Sequence, residues 1–215
     1  MKAVEKSSES EILVRSKKRV SDHGEVFTPS WLVESMLDLI QEQDRIGARV
    51  LEPACGNGNF LVRVLNRKLE LVELKSKRST FEKRYLALFA VMSIYGIELL
   101  EDNVLECRKR IIDIFANYLK LNSSDELFRV ASYVARLNIV QGDALEMTTK
   151  DDRPIVFSEW EHIGKDKFCR RDYRMDFLAQ GSEVKATSVE PIKVYEDLTV
   201  EEMMWSKSTR LQKVS

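Results

Sequence analysis

LEPACGNGNF, Leu51 to Phe60, decides how this chain of 215 residues is read. It continues a short apolar run, ARVLEP, that reads as a buried strand ending at Glu52, and it opens a helix expected from about Asn59 to Lys75. Gly56 and Gly58 permit positive φ and let a ligand approach the backbone with no Cβ in the way. The N–H groups at the start of the following helix are then free to meet a carboxylate or phosphate. A G-x-G pair alone is equally a plain strand-to-helix turn, so its neighbours in the chain must decide.

Upstream, GEVFTPSWLVESMLDLI holds a helix start, with Thr28 expected as the N-cap and Pro29 as the first helical residue. Leu32, Met36, Leu39 and Ile40 fall on one face of a helix ending near Gln43. Downstream, Ser79 with Glu82 three residues later announces a helix with Phe81, Tyr85, Leu88, Phe89 and Met92 inward. A strand follows at about Tyr95 to Leu99. Asp102 is expected to cap a long helix burying Leu105, Ile111, Ile112, Phe115 and Leu119, and a further helix covers about Asp125 to Leu137. NIVQGDAL then reads as a third strand running into a loop. Past Met147, PIVFSEW reads as a strand and RRDYRMDFLAQ as a short helix or strand. Thr199 and Glu202 form a capping box for one more helix.

Strands alternating with helices predict an α/β fold, a largely parallel sheet with helices on both faces and ligands at the carboxyl ends of the strands. The expected organisation is an N-terminal arm or helix over residues 1–23, one domain over 24–180 and a polar tail over 181–215. Net charge is −1, which gives no broad positive field for gripping nucleic acid unaided. No apolar run approaches the roughly 20 residues that cross a bilayer. The start of the chain has no secretory apolar region, and Cys55, Cys107 and Cys169 lack metal or disulfide spacing, so reduced thiols in a cytoplasm are expected.

Two acids extend the glycine loop into a candidate site. Glu98, at the end of YGIEL, can hold two vicinal ribose hydroxyls with its two carboxylate oxygens. A dinucleotide cofactor would place that acid about 20 residues after the loop, whereas two helices intervene here, which disfavours NAD. Asp143, in QGDA at the end of the third strand, can accept a hydrogen bond from an exocyclic purine amine. Together the three loops describe a site for an adenosine-like ligand with an amino-acid or phosphate end near Gly56 and Gly58.

Taken in order, GEVFTPSWLVESML, LEPACGNGNFLVRVL, YGIELLEDNVLECR and NIVQGDAL resemble the consecutive cofactor motifs of S-adenosylmethionine-dependent, adenine-specific DNA methyltransferases of the restriction-modification type. The resemblance runs from about Gly24 to Met147. It implies a Rossmann-like methyltransferase fold, incomplete at its C-terminal side, and S-adenosyl-L-methionine as cofactor. By this resemblance Thr28 and Pro29 lie over the methionine end. Glu52, Ala54, Gly56, Asn57 and Gly58 form the loop around the amino-acid part, with Glu52 in place of a more frequent aspartate and Asn57 of a more frequent serine. Glu98 takes the ribose with Leu99 beside the adenine, and Asp143 faces the adenine amine with Ala144 as its neighbour. Phe60 is expected to pack and not to touch the ligand.

The departure lies downstream. The family's next strand ends in N-P-P-Y or a close variant, which holds the target amine and stacks on the flipped base. This chain has four prolines, Pro29, Pro53, Pro154 and Pro191, and no Pro-Pro pair. Where the motif would fall it reads Cys169-Arg170-Arg171-Asp172-Tyr173-Arg174, in which Asp172 and Tyr173 are the only catalytic candidates, without the tight turn that would aim them. Lys165, Lys167, Arg170, Arg171 and Arg174 could contact phosphates or form a solvated face. His23 and His162 have no partner at catalytic or metal spacing. The resemblance therefore implies a methyltransferase-like subunit of a restriction-modification or phage-defence system, with other subunits supplying the acceptor half and DNA contact. The alternative is an inactive module that binds or scaffolds a partner.

Overall fold

The structure is a computed structural model that describes residues 13–39, 45–77, 79–183 and 189–205. Its first elements are helix α1 (Lys17–His23), closed by Gly24 in the left-handed conformation, and helix α2 (Ser30–Asp38). Pro29, not Thr28, is the N-cap of α2 and no side chain caps it, so the expected start is one residue early. The expected inward face is also turned. Val33 and Leu37 are buried, while Leu32, Met36 and Leu39 are exposed, because the Val33 and Leu37 side is the one that packs on the next helix. Ile40 and Gln43 lie outside the described residues.

Strand β1 (Val50–Glu52) leads through the glycine loop into α3 (Asn59–Lys75), whose expected bounds match. Helix α4 (Thr80–Met92) begins at Ser79, whose hydroxyl accepts from the Glu82 N–H as the capping pattern predicts. Its inward face is Ala87, Leu88, Val91 and Met92, and Phe81 at the first turn is exposed. Strand β2 (Ile94–Glu98) is followed by α5 (Glu101–Leu119), α6 (Glu126–Asn138) and β3 (Ile139–Asp143). On α5 the N-cap is Leu100 and not Asp102, and Leu105 faces solvent. Strands β1, β2 and β3 are parallel, with Val50 opposite Ile94 and Gly96 opposite Ile139. Since helices carry the chain back between them, all three strands end on the same side of the sheet.

The larger core joins α2 through α6. Leu61, Leu65 and Val72 of α3 and Val130, Ala131 and Val134 of α6 are essentially inaccessible, each large aliphatic chain contributing about 1.5–3 kcal/mol. Tyr95 and Ile97 point to the other face of β2, against Ile155, Phe157 and Met175. Contrary to expectation β1 is not buried: Leu51 is 43% exposed, and among the described residues β1 pairs with β2 alone.

The rest of the chain corrects the picture of a largely parallel sheet. Strand β4 (Thr148–Thr149) adds to β3 antiparallel, and β5 (Val156–Gly164) and β6 (Lys167–Arg174) form an antiparallel hairpin. Gly164 and Lys165 have positive φ at its turn, the backbone conformation a tight hairpin demands. Helix α7 (Met175–Glu183) follows β6 directly, so RRDYRMDFLAQ is strand and then helix. Strands β7 (Lys193–Val194) and β8 (Leu198–Thr199) both pair with β6, ahead of α8 (Val200–Trp205). Thr199 and Glu202 make the expected capping box, each side chain bonded to the other's backbone N–H. Part of the expected polar tail thus completes a second sheet. The Tyr95 hydroxyl, donating to the Ser158 carbonyl at 3.0 Å, and the Arg49–Glu159 ion pair join that sheet to the first.

Candidate functional site

A cleft of about 460 Å³ opens where β1, β2 and β3 end. It brings together most of the expected residues: Thr28, Glu52, Ala54, Gly56, Asn57, Glu98, Leu99, Asp143 and Ala144 all line it. Pro29 and Gly58 do not. Gly58 (φ +89°) serves the loop from behind, with its missing Cβ 2.6 Å from where the Cys107 sulfur sits. Phe60, expected only to pack, packs on the core and also lines the cleft.

The loop is held from the neighbouring strand. Cys55 N–H donates to the Ile97 carbonyl at 2.9 Å, and Gly56 N–H donates to Glu98 Oε2 at 3.0 Å. Glu98 Oε1 accepts from Leu100 N–H at 2.9 Å and from Asn103 Nδ2 at 3.3 Å. Gly56 needs its φ of +52° to make this turn, and the Phe27 ring lies 3.2 Å from the position a Cβ would take. Asp143 Oδ1 accepts from the N–H groups of Leu145 and Glu146, which folds the third loop at the mouth of the cleft.

The lining is acidic. Glu25, Glu52, Glu98 and Asp143 contribute carboxylates, and among the described residues no lysine, arginine or histidine lines the cleft. Burial pushes the Glu52 carboxyl above its usual range. Glu25 is pulled the other way by the Arg19 guanidinium, which grips both its oxygens at 2.6 Å from outside the cleft. Two further acceptors have no partner among the described residues: Asn57 Oδ1 and Asn103 Oδ1 are buried and lack a hydrogen bond, although both residues line the cleft. A wall that offers acceptors, negative charge and a few apolar groups, among them Val26, Met36, Leu99 and Leu145, suits a ligand rich in donors and carrying positive charge. It is a poor host for a pyrophosphate.

Glu25 and Asn103 were not among the sequence candidates. Asn103 carried a signal: it starts the buried stripe of α5 that continues through Cys107 and Ile111, and an amide in an apolar stripe needs partners. Glu25 carried none that spacing could reveal, because its partners come from α1 and α5.

The downstream candidates lie elsewhere. Asp172 is buried on β6 and accepts from Arg170, Ser158 and Tyr195 at 2.7–2.9 Å. Tyr173 faces a separate apolar hollow with Leu51, Tyr95, Phe157 and Leu178. Neither lines the cleft. Of the basic cluster, Arg170 pairs with Asp172, Arg171 with Glu161 and Arg174 with Asp176, and Arg170 is buried, so the cluster is not the solvated face expected of it. His162 stacks beside Phe168 and bonds the Lys165 carbonyl, while the His23 side chain is outside what is described. Among the described residues no group of acids, histidines or cysteines could hold a metal ion, and no helix is long and apolar enough to cross a membrane.

No curated protein and no solved structure matches the chain. The family model of N-6 DNA methylase matches residues 11–105, spanning α1, α2, β1, the glycine loop, β2 and the first turn of α5; the Asp143 loop lies beyond it. By that match the segment 11–105, which supplies two of the three walls of the cleft, is similar to the N-6 DNA methylase family.

Proposed function

We propose that the chain is an S-adenosylmethionine-binding, DNA methyltransferase-like subunit, related to enzymes that methylate the amino group of adenine, and that it works with other subunits of a restriction-modification or phage-defence system. The carrying observation is the convergence of Gly56, Glu98 and Asp143 on one acidic cleft that has no basic side chain among the described residues. S-adenosylmethionine, with a sulfonium and an ammonium against one carboxylate, has the net positive charge and the donor groups that such a lining favours. When bound, it supplies an electrophilic methyl group. Glu98 is placed to accept from the ribose hydroxyls while it keeps the Gly56 turn in shape. Asp143 and Leu99 sit where an adenine would be held by its amine and by its face. The backbone at Gly56 and Asn57 lies open to the amino-acid end.

Acceptor chemistry is assigned to a partner, since Asp172 is engaged in a buried network and nothing at the cleft resembles the paired-proline turn. That same engagement favours one second reading, a binding or scaffold module that holds the cofactor and performs no transfer. Tritiated S-adenosylmethionine incubated with adenine-containing DNA, with and without the co-expressed products of adjacent genes, separates the two. Label on DNA only in the reconstituted mixture supports the subunit reading. Absence of label in both, with the cofactor bound, supports the module. Label with the isolated chain overturns the assignment of the acceptor half to a partner.

A further inference from the structure

Helix α1 and Arg15, just ahead of its N-cap Ser16, are joined to the cleft wall by two chains of polar contacts. In the first, Arg19 binds both oxygens of Glu25 at 2.6 Å and reaches Asp102 at 2.6 Å. Glu25 Oε1 accepts from Asn103 Nδ2 at 2.7 Å, and the same nitrogen lies 3.3 Å from Glu98 Oε1, whose second oxygen holds the Gly56 amide. In the second, Arg15 pairs with Glu106, and Glu106 Oε1 accepts from Asn57 Nδ2 at 3.2 Å. Arg15 also sits 5.6 Å above the ring of Phe27, the ring that packs on Gly56. Both chains end on adjacent residues of the glycine loop.

Charge makes the first chain directional. Glu25 is 9% exposed and Asn103 1%, so the amide nitrogen that Glu25 shares with Glu98 of the cleft wall lies out of water. That arrangement holds only while a cation neutralises Glu25, because a buried carboxylate without a counter-charge moves, or takes a proton. The cation comes from α1. We propose that α1 is a clamp on the cofactor wall, in which Arg19, Glu25 and Asn103 act as positioning residues that set Glu98 and the Gly56 amide for the ligand, so that seating of α1 tunes the affinity of the cleft. The clamp deepens the cofactor reading and rests on it for the identity of the ligand.

The test compares wild type, Arg19→Met and Arg19→Met/Glu25→Gln in the full chain, by hydrogen exchange of the ligand-free protein and by calorimetry with S-adenosylmethionine. Arg19→Met should speed exchange in the segment Pro53–Phe60 by about tenfold and weaken the cofactor by about tenfold, as expected for loss of charge-assisted bonds. Exchange in α6 should not change. Adding Glu25→Gln removes the stranded charge and should bring loop exchange back to within about threefold of wild type, because the neutral amide no longer needs a cation, while affinity keeps the loss due to one fewer lining carboxylate. Loop exchange and affinity unchanged in Arg19→Met, or a loss of loop protection that Glu25→Gln does not restore, overturns the clamp. If wild type binds no cofactor while loop exchange follows the expected pattern, the clamp stands and the ligand assignment falls.

Discussion

Glu98 Oε2 accepts the Gly56 N–H across 3.0 Å, tying the end of β2 to the turn that leaves β1. One carboxylate thus shapes the loop and, on the proposed reading, takes the ribose. Glu98→Ala removes both functions and should weaken S-adenosylmethionine by about 1–3 kcal/mol, or about 5- to 150-fold. Glu98→Gln keeps an acceptor oxygen but loses the charge, and should fall between Ala and wild type. Titration calorimetry of the three proteins checks the order.

Gly24 and Gly58, both left-handed glycines, differ in what surrounds them. An alanine at Gly24 meets open space, so only its φ of +65° counts, at a cost of about 1–2 kcal/mol. At Gly58 the φ of +89° comes with a Cβ 2.6 Å from the Cys107 sulfur and 3.3 Å from its Cα, which adds an overpacking cost of about 1–3 kcal/mol. Urea unfolding should therefore rank Gly58→Ala clearly below Gly24→Ala, and equal midpoints would refute the packing.

Asp172 is the hub of a buried network on β6, with Arg170 stacked 4.4 Å from the centroid of Tyr195 and 5.6 Å from that of Trp160. Asp172→Ala strands the guanidinium and should cost about 3–5 kcal/mol of stability. Where the protein remains folded, cofactor affinity should match wild type. A selective loss of affinity without loss of stability would place Asp172 in the cleft chemistry instead.

Lys68, 4% exposed on α3, donates to the carbonyls of Ile46 and Ala48 and has no acid paired with it among the described residues. Burial pushes its ammonium down to about 8. An unfolded lysine titrates near 10.4, so between those values the unfolded chain holds a proton that the native one has released, and stability contributed by this group rises with pH. Chemical denaturation of wild type against Lys68→Met, followed from pH 7.5 to 10, should show wild type gaining on the variant as pH increases.

Helix α3, the capping boxes at Ser79 and Thr199 and the three parallel strand ends were legible because their signals are local: periodicity, a hydroxyl three residues before a glutamate, glycines after an apolar run. Faces were less so. Leu32, Met36 and Leu39 form as good an apolar stripe as Val33 and Leu37, and only the position of α3 decides which turns inward. The second sheet escaped because β7 and β8 are two residues each and exist only through pairing with β6. Most of the cleft was legible in motifs at strand ends, while Glu25 and Asn103 take their meaning from Arg19, a residue that no spacing rule links to Glu98.

Titration of the purified chain with S-adenosylmethionine by isothermal calorimetry tests the central claim most directly. The acidic cleft at the ends of β1, β2 and β3 predicts saturable binding of one molecule per chain, weakened in Glu98→Ala and little changed in Asp172→Ala. No detectable heat at millimolar cofactor, or binding that Glu98→Ala leaves untouched, would contradict it.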